Sequence, residues 1–235
     1  VLVSTAFGTF LELSVPTGDI RKSLSFYRTL GFSELATGDI RTHYYAVVTD
    51  GHIAIGLHGG GIDEPALAFV RPGLARHVRA MADAGREFEF MRLGAEEFNE
   101  AALRSPDGQL ILMMEARTFS PGEEDEAPST RIGRSTQLAL AAADASVTRL
   151  FFEEAGFLAS DDENIGETLL TTEGLSLALT PVTHGRHLVI HFAAADPARV
   201  ATELAALGLS PRRDSAGSYL QAPEGTRLMV PVLHI

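Results

Sequence analysis

Cysteine and tryptophan are absent from these 235 residues, and basic side chains are scarce: 19 Lys and Arg stand against 31 Asp and Glu, for a formal net charge of −12. Without cysteine there is no disulfide framework, no thiolate nucleophile and no Cys-ligated zinc or iron–sulfur centre. A phosphate backbone needs a basic surface, so the acidic balance argues against a nucleic-acid partner. No run approaches the ~18 consecutive apolar residues of a membrane-crossing helix. Residues 1–10 lack the basic, apolar and small-residue succession of a secretory signal, so a cytoplasmic setting without a membrane partner is expected. There is no P-loop, no strand-following GxGxxG and no GxSxG nucleophile elbow.

What is present is ordinary for a globular chain, 45% hydrophobic and 21% charged residues, and it is repeated. DIRKSLSFYRTLGF at 19–32 and DASVTRLFFEEAGF at 144–157 share an opening Asp, a central aromatic pair and a closing Gly-Phe. PGLARHVRAMADAG at 72–85 and DPARVATELAALG at 196–208 have the same outline. Each carries apolar residues at helical spacing and ends at a Gly suited to the left-handed cap. Asp19, Asp144 and Asp196 fit N-caps, and Pro72 and Pro197 fit the first turn or its approach.

Each helix follows a short apolar or alternating run: FLELSV, ALAFV, QLALAA and LVIHFA. Each is followed by a turn carrying Gly51, Gly108, Gly174 or Gly225, then by a second alternating run. The chain therefore divides into four β-α-β-β-β modules in two pairs. The pairs span residues 1–117 (modules about 7–61 and 64–117) and 135–235 (modules about 135–182 and 186–235). Between them, 118–134 reads as an acidic Pro/Ser-rich linker. One such module leaves a sheet face uncovered, so modules must pair. The linker favours pairing the first with the second and the third with the fourth; pairing the first with the fourth is the alternative.

VPTGDIRKSLSFYRTLGF and SPDGQLILMMEAR resemble the vicinal oxygen chelate superfamily, which includes glyoxalase I, extradiol dioxygenases and bleomycin-resistance proteins. The resemblance implies an α+β fold: four βαβββ modules paired into two curved mixed sheets with helices on the outer faces, around clefts. It also implies, in many members, a divalent metal held by His, Gln and Glu. The first-strand donor of the family falls at Phe10, with Ala66, Gln137 and Val189 in the later modules. The closing-strand carboxylate falls at Ile55 or Gly56, then at Leu112, Ala178 and Met229. Only Gln137 could ligate, and one amide oxygen does not hold a divalent cation. No cofactor is expected, with a divalent metal admitted only if modules one and four pair and bring Glu12, His58 and His191 together.

Strand alternation then assigns the cleft. Phe10, Glu12 and Ser14 face it, with Leu11, Leu13 and Val15 behind; His58 faces it from the closing strand, and Val189 and His191 from the fourth module. Glu12 and His58 could form a general acid/base pair; alternatively Glu12 is solvated at the cleft mouth and His58 belongs to a loop with Gly59–Gly61. His191 is either catalytic or a hydrogen-bonded core residue. His187 and His191 lie ~13 Å apart on a strand, too far to share an ion, and His184 falls in a turn. Either Tyr44 or both His43 and Tyr45 face the cleft. Ligand contacts are expected from Phe10, Ser14, Tyr45, Arg104, Leu112, Gln137, Thr180 and Tyr219, with Phe98 and Asn99 at the edge.

The expected function is that of a glyoxalase- or bleomycin-resistance-like monomer or homodimer that binds a small organic molecule in a cleft without a metal. The alternative is a superfamily enzyme, of lyase, isomerase or dioxygenase type. It would use shifted ligands or the acid/base residues Glu12, His58 and His191.

Overall fold

The computed structural model describes residues 5–37, 43–95, 98–115, 130–162, 167–182 and 188–231. Most of the acidic 118–134 stretch, with His184 and His187, lies outside the described residues.

The four expected helices are α1 (Ile20–Thr29), α2 (Leu74–Asp83), α3 (Ala145–Glu154) and α4 (Pro197–Ala206). The carboxylates of Asp19, Asp144 and Asp196 accept first-turn N–H bonds in α1, α3 and α4, as N-cap residues do. Helix α2 has no such residue, because its N-cap is Gly73. There Glu115, distant in sequence, accepts from Gly73 N at 2.6 Å and Leu74 N at 2.9 Å. Each helix gives way to a glycine of positive φ, from 67° at Gly208 to 97° at Gly156, as a left-handed C-terminal cap requires.

The first module contributes β1 (Thr9–Pro16), β2 (Ser33–Leu35), β3 (Tyr45–Thr49) and β4 (Ala54–His58). The second contributes β5 (Ala66–Arg71), β6 (Phe90–Arg92), β7 (Glu100–Arg104) and β8 (Leu110–Glu115). They form one mixed sheet in the order β2-β3-β4-β1-β5-β8-β7-β6. In the second half, β9 (Arg134–Ala142), β10 (Leu158–Asp162), β11 (Glu167–Thr172) and β12 (Leu175–Pro181) belong to the third module. The fourth supplies β13 (Val189–Ala193), β14 (Arg212–Asp214), β15 (Gly217–Gln221) and β16 (Arg227–Met229). The second sheet repeats the first, β10-β11-β12-β9-β13-β16-β15-β14. Modules therefore pair one with two and three with four, and the crossed pairing does not occur.

One face of each sheet carries the helices, and these faces share a single core. It contains Leu13, Ile55, Leu67 and Ile111 from the first sheet and Leu138, Leu177, Ile190 and Leu228 from the second. Phe7 reaches across to Phe151 (5.9 Å between ring centroids) and Phe157 (6.3 Å), and Phe32 to Phe192 (6.1 Å). Backbone bonds repeat the relation, Ala6 N to Ala155 O and Arg131 N to Leu30 O. The closing turns add matched polar clamps. Asp107 accepts from the Thr148 hydroxyl of α3, and Glu224 accepts from Ser23 and Tyr27 of α1, both at 2.7 Å. Ser23 and Thr148 each stand four residues after their helix's N-cap Asp, so the halves grip each other with the same element.

Among the described residues no helix covers the other face of the first sheet, yet its residues are hidden. Ala66, Ala68 and Ala102 have no exposure, and Leu110 and Leu112 have 9% and 3%. An open flat sheet would leave them wet, so the sheet curls round to enclose that face. No helix among the described residues is long and apolar enough to cross a membrane.

Candidate functional site

Glu12 stands on the helix-free face of β1 and is 1% exposed. Alternation with Leu13 and Val15 of the helix-side core puts it there, as expected, but the expectation fails for the residues that precede it. The pairing of β1 with β5 shifts register between Phe10 and Glu12, so Phe10 lies opposite Phe69 and Glu12 opposite Ala68. The bulge turns Phe10 into the helix-side core, where it meets Phe69 at 5.6 Å, while Leu11 packs on the helix-free face. The expectation that Phe10 faces the cleft, with Leu11 behind, is thereby reversed.

A carboxylate removed from water must be paired or neutralised. Glu12 is paired three times. The Ser14 hydroxyl donates to Oε1 at 2.7 Å, His58 Nε2 lies 3.1 Å from Oε1, and the Tyr45 hydroxyl donates to Oε2. Burial pushes the carboxyl up, but the bonds from His58, Tyr45 and Ser14 outweigh it and hold Glu12 below the ordinary carboxylate value. His58 is fully buried, and the parallel pairing of β1 with β4 brings it to Glu12 across 46 residues of sequence. The string continues, with His43 Nε2 2.9 Å from His58 Nδ1 and the Tyr45 ring 4.7 Å from that of His58. Tyr44 is 86% exposed, so of the two orientations the sequence allows for this strand, His43 and Tyr45 point in. His43 is the member that residue type and spacing did not single out. Its signal is the shared parity with Tyr45, together with the run Gly59–Gly61 that lets the next loop lie against it.

Glycine makes room for the string at two places. A Cβ on Gly56 would lie 2.3 Å from Glu12 Oε1. One on Gly61 would lie 2.6 Å from His43 Cε1 and 2.7 Å from Nδ1. Gly61 also borders a cavity of about 170 Å³ that extends to Phe90, Leu112 and Arg104. Arg104 is held there by Glu64 (2.6 Å) and Glu89 (2.7 Å), and Phe98 packs against the adjoining apolar cluster. Asn99 has a structural task, accepting from Gly94 N at 2.8 Å.

The second sheet carries different chemistry at the same level. A register shift beside His191 matches that beside Glu12, and His191 lies opposite Gln137 on one side and Met229 on the other. The corresponding residues of the first sheet are Glu12, Ala68 and Leu112. Counting along the sequence placed Phe10, Ala66 and Val189 in these two rows; the strand register puts Glu12, Ala68 and His191 there instead, and keeps Leu112, Gln137 and Met229. His191 is half-buried, and that burial lowers its pKa. Thr180 lies beside Ala141, and the Tyr219 ring sits under the Arg227 guanidinium at 4.8 Å. His191 and the Glu12–His58 pair belong to different sheets and do not converge.

Neither row suits a hard divalent cation. One offers a single carboxylate between apolar residues, the other an amide, an imidazole and a thioether, whereas Mg²⁺, Mn²⁺ and Fe²⁺ favour several oxygen or imidazole donors. The string of His43, His58 and Glu12 is a chain of hydrogen bonds and does not converge on a point. Among the described residues no group of three or more His, Asp or Glu is placed to hold a metal.

This architecture has counterparts among solved structures. An extradiol ring-cleaving dioxygenase from Brevibacterium fuscum superposes with a TM-score of 0.63 at 16% identity, over 97% of this chain and 72% of that one. The two chains share a fold. A catechol 2,3-dioxygenase (TM-score 0.59, 14% identity, 99% of this chain and 91% of the other) has the same architecture. So has a halotolerant catechol dioxygenase (0.57, 16%, 96% and 86%). No family model matches the sequence, and no curated protein matches it.

Proposed function

We propose that this chain binds a small organic molecule against the helix-free face of its first sheet, as a glyoxalase- or bleomycin-resistance-like protein, and does so without a resident divalent metal. The observation that carries the reading is Glu12. Keeping a carboxylate ionised where water is excluded costs stability unless every lone pair is used, and packing alone is better served by an apolar residue. Such groups mark sites. Glu12 is held by three side chains on the face that carries no helix, in the same row across the sheet as Leu112, which lines a cavity there. The matching place in the second sheet holds the neutral Gln137.

A catalytic reading has one observation in its favour, the bond between His58 and Glu12, which orients an imidazole as acid/base chemistry requires. The structural neighbours are named for catechol and homoprotocatechuate, so these two compounds are the first probes.

The test combines metal analysis of purified protein with calorimetric titration of both probes. The expected result is less than a tenth of an equivalent of Fe, Mn, Zn or Ni, and binding that weakens at least tenfold in Glu12→Gln. Stoichiometric metal, or binding indifferent to Glu12 and His58, would overturn it.

A further inference from the structure

Arg104, the last residue of β7, uses every N–H it has. Nε donates to Glu89 at 2.7 Å, Nη1 to Glu64 at 3.1 Å and to the Gly108 carbonyl at 2.9 Å, and Nη2 to Glu64 at 2.6 Å and Glu89 at 3.3 Å. One guanidinium thus ties together the link from β4 to β5, the approach to β6 and the turn between β7 and β8. The link begins with Gly59–Gly61, where backbone rotation is least restricted. It is anchored at one end by Gly59 N to Tyr44 O and at the other by Gln109 Nε2 to the Pro65 carbonyl at 3.0 Å. Between these anchors, Gly61 to Glu64 wall the cavity on the first sheet. A second hollow of about 360 Å³ lies between the halves, lined by Pro65 and Gln109 of the first and by Leu140, Ala141 and Leu188 of the second. Glu64 and Arg104 border both spaces, so their ion pair stands between them.

We propose that the Glu64–Arg104 pair is the door of the ligand site and Arg104 its specificity-determining residue: an uncharged, single-ring molecule passes from the hollow between the halves into the cavity when the two part, and an anion is held back. The inference rests on the ligand-binding reading above and gives it a substrate class and an entry route. Size comes from the cavity, whose volume of about 170 Å³ is close to the ~150 Å³ that takes up one benzene. Charge comes from its lining, where Asp63, Glu64, Glu89 and Glu100 outnumber Arg92 and Arg104. Both guanidiniums are already engaged, Arg92 by Glu100, so neither offers a free fork to a ligand carboxylate. The door can move because the pair is partly exposed, 35% at Arg104 and 46% at Glu64, and such pairs are weakly held and screened by salt.

The test uses the intact protein with catechol, uncharged at neutral pH, and homoprotocatechuate, which adds a carboxylate. NMR line shapes give the rates and calorimetry at low salt the affinities. Entry of catechol into the wild type is expected to quicken roughly threefold between about 0.02 M and 0.5 M salt, although this ligand carries no charge. In Arg104→Gln and in Glu64→Gln entry should be faster and indifferent to salt. The wild type is expected to prefer catechol over homoprotocatechuate at least fivefold. That preference should grow in Arg104→Gln, which removes a positive charge from the mouth, and shrink in Glu64→Gln, which removes a negative one. A pair with a merely structural task would shift it the same way in both. Salt-independent entry into the wild type, or a preference moved in one direction by both variants, overturns the door and leaves the ligand-binding reading standing. Catechol that binds none of the three proteins overturns that reading and this inference with it.

Discussion

The carboxylate of Glu12 rests on the Cα of Gly56: a Cβ there would lie 2.3 Å from Oε1 and 2.5 Å from Oε2. Gly56 has no positive φ, so its backbone would accept alanine, and the three atoms nearest such a Cβ all belong to the Glu12 carboxylate. Gly56→Ala is expected to cost about 1–3 kcal/mol by overpacking. In a Glu12→Ala background the same change should cost close to nothing, a coupling of roughly 1–3 kcal/mol for groups in contact. Urea denaturation of the four proteins measures it, and additive losses would show that the two residues do not share this space.

Glu12 also predicts an acid limb. Its pKa in the folded protein lies below the ordinary 4.5, first because burial, which opposes ionisation, is outweighed by the bonds from His58, Tyr45 and Ser14. A depressed carboxylate stabilises the fold fully above the unfolded value and loses that contribution as pH falls through its own lower one. Glu12→Gln keeps the shape without the charge. It is expected to be less stable at neutral pH by about 1.5–3 kcal/mol, the usual worth of a hydrogen bond to a charged group. Below pH 4.5 its stability should fall less steeply than the wild type's. Parallel slopes for the two proteins from pH 6 to pH 3 would contradict the prediction.

The clamp between the halves makes an alkaline counterpart. Burial, with the charge of Glu224 beside it, raises the Tyr27 phenol well above its usual 10.0. A raised group stabilises the fold below the unfolded value, and that support fades as pH climbs through the folded one. Tyr27→Phe removes the bond to Glu224 Oε1, leaving that carboxylate with Ser23, and is expected to cost about 1–3 kcal/mol. Thermal melts between pH 8 and pH 11 should show the wild type losing stability above pH 10 and the variant changing less over that range. An unaltered alkaline slope in the variant would remove Tyr27 from the account.

The hydrophobic period revealed most of this architecture because the inner strands bury one face almost completely, as Leu13, Val15, Ile55 and Leu57 do. The closing glycines and capping aspartates marked the helices for local reasons that need no partner. The site was less legible. Glu12 and His58 could be placed on one face, but their bond depends on the parallel register of β1 and β4, a long-range pairing. The two register shifts, beside Glu12 and beside His191, leave no trace in the alternation, since a bulge is a property of the strand pair. The first of them is why alternation put Phe10 on the cleft face. His43 was reachable by parity but lacked an argument until the string behind it was seen.

The row across β9, β13 and β16 allows a constructive test of how donor type governs metal binding on this scaffold. Gln137, His191 and Met229 lie on adjacent strands at one level, so their spacing is that of a potential ligand set while two of the three side chains are unsuitable. A thioether is a soft donor and an uncharged amide a weak one, and neither compensates the charge of a hard cation. Gln137→His combined with Met229→Glu would leave two imidazoles and a carboxylate in that row, on a scaffold already arranged to bring them together. The double variant is expected to bind Mn²⁺ or Fe²⁺ with a stoichiometry near one and at least tenfold more tightly than the wild type, about 1.4 kcal/mol or more. Titration calorimetry, with electron paramagnetic resonance for Mn²⁺, reads both quantities. Equal binding by the wild type would mean that it already has a donor set this row does not contain. A folded double variant that takes up no metal would mean that matched register alone does not aim the three side chains at one point.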